Sequence, residues 1–520
     1  MDLNLLERAI AQLAPGWGVG RLHAKASLAE ARLHARAYDA ARRDRRTESW
    51  RATGGSANAE MAPALDLIRR RSRDLCRNNE WAINAKRKFV AHAVGIGITP
   101  RPKDDEKTRA KKAARDAWDA FNENCDPEGM ADFYALQARA AGEAFEGGAA
   151  FVRWYMRPSE FGLRVPLQCE VLEHEFLDTR KTEILDAGRG NVVVHGVEYD
   201  RYGRRVAYWL FPEHPGEVSI IRRGAFRSVR VPADECDHVF RVDRAGQVTG
   251  IPWLAPSMLR LRDAGDTEEA EIVRRKIAAC LTVFVRRSGV GPGSLAQSVD
   301  QKTDAKGRRL EKIAPGLITY LQDNEEIQTT SPSPVDGLVD FMSHQLYGFS
   351  AGVGLPYSMT TGDLSDANYS SQREGKIDFY AVLDQWQMFM LVPQICRPAW
   401  RRVMRVSAAR GLQVSPDIRA DHALPKRPWV DPVKDLKAEA MELALGLDSW
   451  AEKVAARGYD PETLLKEIKE WRAKLEAAGL SPMAAAGIAG AGGGAKTGQE
   501  GGKKPAKDDS KDGDDDATDE

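Results

Sequence analysis

Large apolar residues follow two rhythms along this chain. At helical spacing, Leu65, Ile68 and Leu75 predict a helix over 64–77, and Ile83, Phe89, Val90, Ala93 and Val94 predict a second. Asn78-Asn79 separates the two and offers an N-cap, and Gly95-Ile96-Gly97-Ile98 ends the pair. A third helix is expected over 133–145. Gly147-Gly148 then turns the chain into a β-rich block, with strands expected over 149–155, 167–172, 191–199, 205–210, 218–222 and 238–242. Turn sequences such as Asp200-Arg201-Tyr202-Gly203 and Glu213-His214-Pro215-Gly216 separate them. Helical spacing returns from Pro252 to about Arg287 through Leu254, Met258, Leu261, Ile272, Ile277, Leu281 and Phe284. A short strand over 318–321 and a helix over 335–353 lead to Gly354-Leu355-Pro356-Tyr357. A helix from about 371 to 391 follows, carrying Phe379, Tyr380, Trp386 and Phe389.

The C-terminal boundaries are written in capping residues. Asp431-Pro432 opens a helix that Gly446 stops, Ser449 caps the next, which Gly458 ends, and Asp460-Pro461 opens a third that reaches Gly479. Leu464, Leu465, Ile468, Trp471 and Leu475 form its apolar face. Residues 1–55, rich in Ala and Arg, read as a partly disordered arm. Beyond Pro482 the chain is mostly Ala, Gly, Lys and Asp, and 481–520 read as a disordered tail, because so little apolar surface cannot offset ordering entropy. The fold class expected is α+β, with long helices and a mixed β-rich region.

At 520 residues the chain can bury several cores, and its 42% hydrophobic content contains no run near the ~20 residues that span a bilayer. Residues 1–13 lack a signal peptide's apolar core, so synthesis in the cytoplasm and no membrane partner are expected. Six well-separated cysteines without a Cys-x-x-Cys pair argue against a zinc site or a disulfide framework. Net charge is zero but uneven: residues 1–120 hold 25 Lys and Arg against 15 Asp and Glu, a surplus that suits either an acidic or nucleic-acid partner or simply solvated helix faces.

Candidate chemistry is thin. There is no phosphate-binding Gly-x-x-x-x-Gly-Lys-Ser/Thr loop, and Gly95-x-Gly97 follows a helix rather than a strand, against a dinucleotide site. His174 sits among Glu170, Glu173 and Glu175, but alternation along a strand would send these to opposite faces, leaving a solvated, partly packed edge. His238 reads as a satisfied strand histidine. Asp363, Asp366, Ser370 and Ser371 read as caps for the helix near Ser371. No catalytic, cofactor or metal residues are assigned.

Five collinear blocks over residues 45–480 resemble the lambda family of phage portal proteins. They are Arg71-Ser72-Arg73-Asp74-Leu75 with Arg77-Asn78-Asn79, then Gly95-x-Gly97; Gly196-Val197-Glu198-Tyr199-Asp200; and Arg244-x-Gly246-Gln247 with Gly250-Ile251-Pro252. Next come Gly354-Leu355-Pro356-Tyr357 with Asn368-Tyr369-Ser370-Ser371-Gln372-Arg373, and finally Asp431-Pro432-x-Lys434 with Gly458-Tyr459-Asp460. Within these blocks Arg73, Asn78, Gly95, Gly97, Gly354, Pro356, Tyr357, Asn368, Tyr369, Ser370, Ser371 and Arg373 are expected to be structural.

The resemblance implies a portal-type fold and a homo-oligomeric ring, typically of twelve subunits, at one capsid vertex of the virion. Its implied partners are the terminase large subunit, the major capsid and scaffold proteins, head–tail connector proteins, and double-stranded DNA passing through without sequence preference. Implied regions are a wing (56–194), clip-like hairpins (195–250), a stem helix (251–287), the wing's continuation (288–430) with a tunnel loop near 329–336, and crown helices (431–480). Asp263, Asp266, Glu268, Glu269 and Glu271 on the stem helix are the channel-lining candidates. Two other classes remain open: a monomeric phage scaffold or adaptor, and a nucleic-acid enzyme, for which no carboxylate–metal cluster can be assembled from the sequence.

Overall fold

A computed structural model of the chain describes residues 52–103, 108–186, 190–217, 227–280, 284–285, 319–320, 337–365, 369–428, 432–457, 459 and 461–479, with isolated positions before 52. Most of the arm, the tail, the expected strand over 218–222, the tunnel loop, Asp366, Asn368, Asp431, Gly458 and Asp460 lie outside the described residues.

In chain order the elements are α1 (Ala57–Met61), α2 (Leu65–Asn78), α3 (Glu80–Ala93), β1 (Thr99–Lys103), α4 (Thr108–Asn122), α5 (Phe133–Glu146), β2 (Ala149–Met156) and β3 (Leu167–Glu173). Next come β4 (Glu183–Asp186), β5 (Asn191–Val194), β6 (Val197–Tyr199), β7 (Arg205–Leu210), β8 (Val229–Pro232), β9 (Cys236–Phe240) and α6 (Met258–Cys280). The rest are β10 (Phe284–Val285), β11 (Thr319–Tyr320), α7 (Leu338–Val353), α8 (Tyr357–Thr361), α9 (Tyr369–Trp386), a π-helical segment (Gln387–Cys396), α10 (Arg397–Ala409), β12 (Arg419–Ala423), α11 (Pro432–Leu445), α12 (Trp450–Ala456) and α13 (Pro461–Ala477). The mixture of helix and sheet agrees with the α+β expectation.

Two compact units divide the chain after Pro425. In the first, a three-stranded antiparallel sheet ordered β3-β2-β9 is continuous with the main core. Trp253 is fully buried, with its ring centroid 4.5 Å from Phe89, 5.4 Å from Phe145 and 4.7 Å from Trp386. A second group, Trp118, Phe121, Phe133, Trp154 and Trp400, fills the space between α4, α5, β2 and α10. Phe151, Leu177, Val197, Tyr208, Leu210 and Val231 form a smaller core beside the five-stranded antiparallel sheet β4-β5-β6-β7-β8.

Several expectations are corrected. The single strand over 191–199 is a hairpin, because His195 and Gly196 both take positive φ (49° and 80°) and reverse the chain. The helix of α2 buries Leu65, Arg69, Ser72 and Cys76, so its inner stripe includes an arginine that the apolar pattern alone passed over. The stem helix spans Met258–Cys280 and not 251–287, since residues 253–257 form turns and Phe284–Val285 is a strand. The helix placed at 371–391 begins at Tyr369 and does not stop at Leu391. It widens into π geometry around Pro393 and continues to Ala409. Proline has no N–H and crowds the preceding turn, and a locally wider helix accommodates both effects without a break. Ser370 and Ser371 therefore lie inside the first turn of α9 and not at its cap.

Where β2 begins, two backbones touch. Gly148 has φ 91°, and a Cβ there would stand 2.7 Å from the carbonyl carbon of Ile251, while one on Gly250 would strike the Gly148 carbonyl oxygen. Only glycine permits this approach. Beside it the Trp253 N–H donates to Phe145 O at 3.0 Å.

Candidate functional site

Arg73 of α2 anchors a buried ion cluster. Its Nε and Nη2 donate to the two carboxylate oxygens of Glu175 at 2.7 and 2.5 Å, and Nη2 and Nη1 donate to Glu143 at 2.6 and 3.1 Å. Glu146 lies 3.4 Å from Nη1 and pairs with Lys86 of α3. Burial pushes Glu143 up to about 7 despite the guanidinium beside it. At Glu175 burial also opposes ionisation, but the hydrogen bonds and charge of Arg73 outweigh it and hold the group at about 2. The cluster fastens α2, α3 and α5 to the turn after β3. Arg73 is thus spent inside the protein and adds nothing to a basic surface.

His174, expected on a solvated edge, is fully buried. The strand ends at Glu173 and a 3₁₀ turn over His174–Phe176 swings the imidazole inward, which period-2 reasoning cannot foresee. Its Nδ1 lies 2.8 Å from the Gly147 carbonyl, which can only accept, so Nδ1 carries the proton. Its Nε2 then accepts from the Thr249 hydroxyl at 2.7 Å, and Thr249 Oγ1 accepts from His238 Nε2 at 3.1 Å. His238 Nδ1 is left to accept from Arg205 Nη1 at 2.9 Å. Both histidines are neutral in this chain of donors. Burial lowers His174 to about 3 and His238 well below its ordinary value. His238 is thus the satisfied strand histidine that was expected, whereas Thr249, Arg205, Glu143 and Glu146 carry no sequence signal that would have marked them.

Glu173, Glu175 and His214 bring carboxylate and imidazole donors within 4.8 Å of one another. Glu175 is already held by Arg73. His214 Nδ1 accepts from the Gly216 N–H at 3.0 Å, and its Nε2 stands 3.0 Å from Glu173 without making a hydrogen bond. With Glu175 committed to Arg73, the three donors do not form an open ligand set.

The motif glycines are steric. Gly95 and Gly97 have φ 56° and 125°; a Cβ on Gly95 would sit 2.9 Å from Pro425 Cβ, and one on Gly97 would enter the Tyr134 ring. Gln137 closes this turn by accepting from Ile98 N at 2.9 Å and donating to Ile98 O at 3.1 Å. Asn78, the last residue of α2, donates to Asp74 at 2.7 Å. Gly354 ends α7 at φ 75°, its N–H returning to Ser350 O at 3.0 Å. Pro356 opens α8, and the Tyr357 ring stacks on Tyr347 with centroids 4.0 Å apart. Asn84 Nδ2 donates to the Thr360 carbonyl at 2.6 Å, tying α8 to α3. Asp363 accepts from Ser365 N at 3.0 Å, while Arg373 is exposed on α9.

The channel-lining candidates all fall on α6 but not on one face. At roughly 100° per residue, Asp263, Asp266 and Glu269 share an arc opposite the buried Leu261 and Ala264, while Glu268 and Glu271 point elsewhere. Glu271 is held at about 2 by hydrogen bonds from Arg274 and Arg275 and is already neutralised. Beyond Ala264 the helix is exposed on nearly every side as far as Lys276, and Ile272 and Val273 are 46% and 47% exposed.

The model of the family described as "Phage portal protein, lambda family" matches residues 43–387. The chain belongs to the lambda family of phage portal proteins. A "Probable portal protein" from Halomonas phage phiHAP-1 is 26% identical over 458 residues, covering 84% of this chain and 86% of that protein. Two solved chains align less closely, both from gene transfer agent particles. One, described as "Neck of native GTA particle computed with C12 symmetry", is 16% identical, covering 75% of this chain and 94% of that one at a TM-score of 0.39. The other, "Neck of empty GTA particle computed with C6 symmetry", is 17% identical, covering 80% and 97% at 0.38. The portal family match spans the Arg73 cluster, the histidine chain, the stem-helix candidate α6 and the Gly354–Arg373 joint, and ends inside the π-helical segment. In a structural protein of this family these clusters read as fastenings between elements.

Proposed function

We propose that this portal protein works as one subunit of a closed ring of about twelve copies at a capsid vertex, through which duplex DNA enters and leaves. In that ring 56–194 and 288–430 form the wing, 195–250 the clip, α6 the stem and α11–α13 the crown, and the terminase and the head–tail connector dock on its outer end. The observation that carries this reading is α6 beyond Ala264. Among the described residues, this stretch of about three turns packs on little and exposes Ile272 and Val273; such a helix is not stable by itself in water, and a neighbouring subunit supplies the missing contact.

The charge pattern adds support. Asp263, Asp266 and Glu269 lie opposite the packed side of α6, Asp266 in an exposed, solvent-screened pair with Arg262, and like charge there would keep phosphates from adhering as DNA slides past. Glu268 and Glu271 are dropped from the channel set, the latter because its own arginines cancel it. Electron microscopy and native mass measurement of the purified chain test the proposal. Closed rings are expected, and a stable monomer at high concentration overturns it.

A further inference from the structure

The second unit, α11–α13, is built inside out. On α11 the half-buried side chains are Asp435, Glu439 and Glu442, with Glu439 paired to Arg457 and Glu442 to Lys453 of α12. Its apolar residues face away from this contact. Val433, Leu436, Ala440 and Leu443 follow one another at steps of three and four, the spacing of a helix seam, and Val433 and Leu436 are 62% and 45% exposed. On α13 the half-buried Leu464, Ile468 and Leu475 line one side, and Trp471, 61% exposed, stands at the edge of that stripe.

We infer that the α11 seam of one copy packs on the Trp471 edge of α13 in the next copy, joining these units head to tail around the ring. The inference rests on the ring reading above. Charge selects this pairing. The outer flank of the seam carries Lys434 and Lys437, and the outer flank of Trp471 carries Glu467 and Glu470 around Lys474, a net acidic edge, with Glu470 also 3.9 Å from Lys466. Seam against seam would set lysine opposite lysine and would give a two-fold pair that cannot propagate around a ring. Trp471, large and rigid with Lys474 Nζ 4.9 Å above its ring, is the type of residue that dominates interface energetics.

The test uses the full chain with Leu436→Cys and Trp471→Cys together, oxidised and run without reductant, beside each single variant and the parent. The double variant is expected to give a ladder of covalent oligomers. The five described native cysteines are all buried and leave the parent as the baseline. Leu436→Glu or Trp471→Ala is expected to cut ring yield about tenfold or more while leaving the circular dichroism of the subunit unchanged. Three results overturn the inference while leaving the ring reading standing. In each, parent rings are visible by microscopy, but the cysteines link only within one chain, do not link at all, or the Leu436→Cys single variant alone gives dimers. Absence of rings from the parent instead defeats the ring reading.

Discussion

At the scale of single residues, matched polar groups between elements help hold this portal protein together. Arg73 is the clearest case, since one guanidinium serves Glu143 and Glu175 with four hydrogen bonds. Arg73→Met would leave buried carboxylates without their counter-charge and is expected to cost about 3–5 kcal/mol, read by urea unfolding. Acid sensitivity follows from the same residues. His174 takes its proton near 3 when folded and near 6.5 when unfolded, so between these values the unfolded chain binds more protons and stability falls as pH falls. His238 acts in the same direction. Glu143, raised to about 7, binds its proton first in the folded state and partly offsets the histidines between about 7 and 4.5. Below 4.5 Glu175, held at about 2, joins the loss. The expected profile of urea midpoint against pH is therefore a shallow decline from about 6.5 and a steeper one below about 4.5. A steady rise on acidification would contradict it.

At the scale of elements, α6 separates folding from assembly. Ile272 and Val273 touch little of the described residues of their own subunit, so Ile272→Ser with Val273→Ser is expected to leave subunit stability within about 0.5 kcal/mol while lowering ring yield, measured by denaturation and by sedimentation. Helices with strong periodicity and capping signals were legible in advance. Asn79 does cap α3, accepting from Trp81 N and Ala82 N at 3.1 Å each, and Ser449 accepts from Glu452 N at 3.0 Å ahead of α12. The strands β1 and β12 were not legible, because they pair across more than three hundred residues and carry Pro100, Pro102 and charged side chains in place of an alternating pattern. The burial of Arg69 and His174 was hidden for a related reason. His174 goes inside because the distant Gly147 and Thr249 receive it, which spacing within its segment does not show, while Arg69 is buried beside Asp66 on its own helix with two guanidinium nitrogens unmatched among the described residues. The motif around Gly354-Leu355-Pro356-Tyr357 was visible as a joint, though the short helix α8 within it was not.

At the scale of the whole molecule, the acidic arc of α6 makes a statement about traffic. Replacing Asp263, Asp266 and Glu269 with lysine is expected to make assembled rings retain duplex DNA in a salt-dependent way, seen as co-sedimentation at low ionic strength that fades as salt rises. Unchanged DNA retention would remove these residues from the channel. One contact described earlier bears on how such a machine carries load. Gly148 meets the Gly250–Ile251 backbone without an intervening side chain, and Trp253 N–H bonds to Phe145 O, so the segment leading into α6 is joined to α5 peptide to peptide. Side chains hop between rotamers and absorb displacement, whereas abutting main chains with positive-φ glycine have almost no such slack. In the proposed ring, torque applied to α6 would therefore arrive at the subunit's core undamped, this junction acting as a weld and not as a spring.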